Sequence, residues 1–132
     1  MHEAGLMASV LDIIDQSRVE NNIRRVTEIT LKVGVLNGAL PDALQFAFDA
    51  LRSEYTWLDA SSVLRIESVP AILLCFECHY QGPGSEMTCP ACQSVLTQLI
   101  QGEEFDIVGF DGEVDESRKD RSLYEPLGRG GQ

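Results

Sequence analysis

Along residues 3–20, EAGLMASVLDIIDQSRVE, apolar side chains recur at helical spacing. Leu6, Val10, Ile13 and Ile14 share one side, and Asp12, Asp15, Gln16 and Arg18 take much of the other. This pattern predicts an amphipathic helix, stopped by Glu20-Asn21-Asn22. The period then changes to two. In VTEITLKVGV, Thr27, Ile29, Leu31, Val33 and Val35 alternate with Glu28, Thr30 and Lys32, which predicts a strand with one wet face. NGALPD breaks that strand, and Pro41 suits the first turn of a second helix. That helix is PDALQFAFDALRSEY, with Leu44, Ala47, Phe48 and Leu51 on one stripe. SVLRIESV, residues 62–69, reads as a second strand, and EEFDIVGF, beyond a cysteine-rich insert, as a third.

The order helix, strand, helix, strand, insert, strand predicts an α+β fold, with two helices packed on a small β-sheet. Residues 1–70 and 95–114 would form this main α/β domain, and residues 71–94 an inserted module. Residues 115–132 are polar, mixed in charge and glycine-ended, which predicts a disordered tail.

A hydrophobic fraction of 44% in 132 residues suffices for one modest core. The formal charge of −11, from 10 basic and 21 acidic residues, argues against nucleic-acid binding, which needs a basic face for phosphate. It argues equally against docking on anionic membranes. No apolar run approaches the roughly 20 residues of a membrane span. The first residues lack the basic and apolar regions of a secretory signal, so a cytoplasmic location is expected.

The four cysteines fall in CFECHYQGPGSEMTCPAC as Cys75, Cys78, Cys89 and Cys92. In each Cys-x-x-Cys pair both thiolates can point at one ion, with the intervening amides turned toward sulfur. Gly82, Pro83 and Gly84 let the linker reverse, so the second pair can meet the first. Four thiolates make a closed tetrahedral site, which suits structural zinc and leaves no open position for catalytic water. Two disulfides, a single redox pair and an iron site of rubredoxin type are the competing readings. Zinc binding would supply the folding free energy that so short a zinc-ribbon-like module lacks. There is no Gly-x-x-x-x-Gly-Lys-Ser/Thr phosphate loop, and no free nucleophile set, because the cysteines are committed to metal. No catalytic residues are assigned, and the protein is read as a non-enzyme.

His2 is one of only two histidines. A methionine followed by histidine is retained, so Met1-His2-Glu3 would carry a free amine. That amine, the His2 amide nitrogen and the His2 imidazole form fused chelate rings. A further nitrogen or oxygen, from Glu3 or elsewhere, would complete a plane. Planar, nitrogen-rich sets suit Ni(II) or Cu(II) better than zinc. Taken alone, a second-position histidine is ordinarily a solvent-exposed residue.

With these motifs together, the chain resembles the HypA/HybF family of hydrogenase maturation proteins. The resemblance rests on MHE at the start, VTEITLKVGVLNGALPDALQFAFDAL, VLRIESVPAILLCFEC, CPAC and GEEFDIVGFD, and covers about residues 1–113. It implies a nickel-binding α/β domain with a zinc domain inserted between strands. It implies Ni(II) as cargo at Met1, His2 and the backbone of Glu3, and structural Zn(II) at Cys75, Cys78, Cys89 and Cys92. It implies delivery of nickel to the large subunit of [NiFe] hydrogenase, with a HypB-type GTPase as partner. The ten residues between the cysteine pairs are two or three fewer than the family usually carries, and the tail is longer. His79, directly after Cys78, is a candidate nickel ligand, a residue that supports the ligands from behind, or a plain surface residue. Two readings from other classes compete: a zinc-ribbon adaptor that binds only proteins, and an iron-based electron carrier.

Overall fold

The computed structural model describes residues 3–84 and 87–115. Helix α1 spans Glu3–Glu20 and ends on Asn22, whose φ of 60° reverses the chain into strand β1, Ile23–Gly34. Helix α2 follows at Pro41–Leu51, continued by a 3₁₀ turn at Arg52–Glu54. Strand β2 is Val63–Val69, β3 Ile72–Cys75, β4 Gln81–Pro83, β5 Thr97–Gln101 and β6 Phe105–Val114. The larger sheet has the order β2-β1-β6, with β2 parallel to β1 and β6 antiparallel to it. A parallel neighbour needs a crossover, and α2 supplies it. The fold is α+β, as the alternation of elements predicts.

One core lies between the two helices and the sheet. It joins Met7, Leu11 and Ile14 of α1 to Ile29 and Leu31 of β1 and Phe48 of α2, all essentially inaccessible to solvent. Trp57, the single tryptophan, is buried in the same cluster. The buried stripe of α1 is Met7, Val10, Leu11 and Ile14, and Ile13 faces outward at 58% exposure.

In β1 the predicted alternation holds from Ile29 to Val33 and fails at both ends. Val26 is buried where Thr27 was expected, and Val35 lies beyond the strand, exposed. The cause at the first end is a register shift against β6 between Val26 and Glu28. A bulge adds one residue to one strand, so the side-chain parity changes across it. Thr27 is that residue, and its hydroxyl donates to the Asp111 carbonyl at 3.2 Å.

A second sheet, of order β4-β3-β5, carries the cysteines. Its three short strands are absent from the pattern-based expectation, and β5 falls in residues assigned by sequence to the main domain. The end of β1 meets the β5–β6 turn backbone to backbone. Gly34 N–H donates to the Glu104 carbonyl at 2.8 Å and Leu36 N–H to that of Gly102 at 2.7 Å. A Cβ on Gly34 would lie 2.1 Å from the Gly102 carbonyl carbon, so only glycine permits this approach. The residues expected to form a tail lie outside the described residues from 116 onward. Asp115, the last one described, donates its N–H to the Asn22 carbonyl at 2.6 Å.

Candidate metal centre

Strand β3 ends on Cys75, whose N–H donates to the Tyr80 carbonyl at 2.8 Å while His79 N–H donates back to the Cys75 carbonyl at 3.1 Å. The second pair repeats this pattern. Cys89 N–H donates to the Ser94 carbonyl at 2.8 Å, and Gln93 N–H to the Cys89 carbonyl at 2.9 Å. Both loops close through a left-handed residue, His79 at φ 66° and Gln93 at φ 63°. Each loop turns two amides onto its first sulfur: Glu77 and Cys78 N–H onto Cys75 Sγ at 3.4 and 3.5 Å, Ala91 and Cys92 N–H onto Cys89 Sγ at 3.3 and 3.4 Å. His79 is thereby a backbone element of the knuckle.

The two knuckles lie face to face, and all four sulfurs lie within 4.8 Å of one another. Cys75 and Cys92 Sγ are 3.7 Å apart, and Cys78 and Cys89 Sγ 3.6 Å. A tetrahedral ion with metal–sulfur bonds of about 2.3 Å spaces its ligands about 3.8 Å apart. A disulfide needs about 2.05 Å, and all four cysteines are free thiols. The donor set therefore fits one tetrahedral, thiophilic ion.

Electrostatics point the same way. The Cys78 amide, against burial and with help from the Glu77 amide, holds the Cys75 thiol down to about 7. At Cys92 the Ser94 amide pulls downward, but burial and the neighbouring thiols of Cys78, Cys75 and Cys89 push the group up to about 12. One thiolate forms readily and the last resists. A divalent cation removes that conflict by displacing the protons.

Of the other site residues, Met1 and His2 lie outside the described residues, and Glu3 opens α1. The residue is 5% exposed, and its Oε2 accepts the Leu40 N–H at 3.2 Å. Leu40 is the N-cap residue of α2 and offers no side-chain acceptor. Glu3 does across two helices what a glutamate in the third helical position does within one in a capping box. Sequence periodicity gave no sign of this bond, because it joins positions 37 residues apart.

A family model described as hydrogenase/urease nickel incorporation, metallochaperone, hypA, matches residues 1–111. The chain belongs to the HypA family. Its match takes in the MHE start, both helices, the larger sheet up to Asp111 and all four cysteines. The hydrogenase maturation factor HypA of Shewanella baltica (strain OS185) is 30% identical over 118 residues, covering 88% of this chain and 99% of the relative. HypA of Aquifex aeolicus (strain VF5) is 32% identical over 117 residues, covering 87% and 100%. The solution structure of the Ni metallochaperone HypA from Helicobacter pylori shares the fold. It has a TM-score of 0.60 at 18% identity, covering 86% of this chain and 99% of that one.

Proposed function

We propose that the protein is a nickel metallochaperone, a carrier rather than a catalyst. It takes up Ni(II) at Met1, His2 and the Glu3 backbone and passes it to the large subunit of a [NiFe] hydrogenase, with a HypB-type GTPase as partner. Cys75, Cys78, Cys89 and Cys92 hold structural zinc, and residues 71–94 with their continuation into β5 form the zinc-bearing module. The observation that carries this reading is the family match, which begins at the first residue and spans both motifs. The names of the relatives, hydrogenase maturation factors and a nickel metallochaperone, give it direction. Among the described residues no helix is long and apolar enough to cross a membrane.

The chemistry is consistent with that role. Transfer of an ion requires a site that binds and also releases. A chelate at a chain end, completed by an ionised amide, opens on protonation or on competition from a partner's ligands. The four-sulfur site is the opposite: closed, amide-supported and held by two knuckles, the first at the end of β3. The burial of Glu3 against the start of α2 gives the terminal chelate a fixed base. The test is nickel titration of untagged protein beside His2→Ala, with zinc content measured in both. Loss of tight nickel binding with zinc retained supports the assignment, and equal binding rejects it.

A further inference from the structure

The residues between β1 and α2 are tied at one end to the β5–β6 turn and at the other to Glu3. At one end, the Gly34 and Leu36 amides bond to the carbonyls of Glu104 and Gly102, as described above. At the other, the Leu40 amide bonds to the buried Glu3 carboxylate. Between them stands Asn37. Its Nδ2 donates to the Glu103 carbonyl at 3.0 Å, and its Oδ1 accepts the N–H of the buried Ala39 at 3.2 Å. Its own N–H closes a turn onto the Gly34 carbonyl at 3.0 Å. Gly38, at φ 101°, lets the chain bend between these contacts. One side chain thus clamps the loop across to the β5–β6 turn and shapes the last residues before Leu40.

We propose that Asn37 is a positioning residue for the N-terminal metal site: it holds the 34–40 loop so that the Leu40 amide meets Glu3, the residue whose backbone belongs to the proposed chelate. This rests on the N-terminal nickel site of the proposed function. The physical reason is preorganisation. A chelate formed by a chain end must freeze that end, and an anchored base lowers the entropy that binding must overcome. Asn37 touches no metal; it acts through Leu40 and Glu3.

The experiment is nickel titration of untagged wild type, Asn37→Ala, Glu3→Ala and the double variant. Zinc content and exchange of the Leu40 amide by NMR are followed alongside. Asn37→Ala should weaken nickel binding about five- to tenfold, the scale of one hydrogen bond. It should leave zinc unchanged and speed Leu40 exchange. The double variant should bind no more weakly than Glu3→Ala alone, since both changes cut one link. Asn37→Asp, which keeps the acceptor for Ala39 and loses the donor to Glu103, should fall between Asn37→Ala and wild type. Unchanged nickel affinity in Asn37→Ala overturns the positioning role, and additive weakening in the double variant does so too, because it marks general loosening. If His2→Ala binds nickel as wild type does, the N-terminal site itself falls and the role falls with it; that control tells the two failures apart.

Discussion

The Glu3 carboxylate accepts the Leu40 N–H, so the first turn of α1 caps the first turn of α2. Both helices contribute to one core, and this bond fixes their register at the end of the molecule where the chain starts. Glu3→Ala should therefore lower the thermal unfolding midpoint, followed by the fluorescence of buried Trp57. Glu3→Gln, which keeps an acceptor oxygen, should lower it less. Equal loss in the two variants would mean that charge, and not the capping bond, is what Glu3 contributes.

The knuckle geometry makes a prediction of the opposite sign. His79 and Gln93 occupy left-handed backbone, which costs a residue with a Cβ roughly 1–2 kcal/mol relative to glycine. Glycine has greater freedom to lose on folding and returns part of that gain. His79→Gly and Gln93→Gly should keep the metal and slow its release to a chelator by about two- to fivefold. Faster release would show that these side chains support the site directly.

Removal of the ion should act locally. Cys→Ser at any of the four positions should lose the metal and loosen β3, β4 and β5, whose small sheet has few buried apolar side chains beyond Leu73. The main core holds no cysteine and should persist. Metal analysis together with Trp57 fluorescence checks this: metal lost, tryptophan emission unchanged. A colourless protein with one zinc per chain is the expected starting point, and a red one would return iron to the site.

The Arg25 guanidinium, with the Ser61 hydroxyl and amide, holds the Asp59 carboxyl well below the usual carboxylate range. A depressed folded-state value means stability that is present above the unfolded value, about 3.9, and lost as pH falls below it toward the folded value. Asp59→Asn should remove this part of the acid dependence. Denaturant titrations at pH 5 and pH 3 should differ less for the variant than for wild type. An identical difference would show that the Arg25 pair carries no linkage.

Much of the fold was legible because it follows long periods. The helices at Glu3–Glu20 and Pro41–Leu51 and the strands β1, β2 and β6 all have runs with a clear period. What was not legible is short or relational. β3 and β5 have four and five residues, too few to separate from loop, and β4 has three. The bulge at Thr27 depends on the partner strand, so the sequence of β1 alone places Thr27 inward. Ile13 and Leu11 are both apolar on α1, and only packing against the rest of the core decides that Leu11 is buried and Ile13 is not. The four-cysteine cluster was legible, since spacing alone pairs the cysteines. The amides that turn toward Cys75 and Cys89, the left-handed His79 and the Glu3–Leu40 bond needed coordinates.

The measurement that bears most directly on the account is nickel binding as a function of the chain's first residues. Untagged protein, His2→Ala, and a protein with one residue added before Met1 should be titrated with Ni(II), with zinc content and the optical spectrum recorded. Tight binding of a yellow, planar species is expected for the untagged protein alone, weakening as pH falls, with zinc equal in all three. Undiminished nickel binding by an N-terminally extended His2→Ala protein would contradict it.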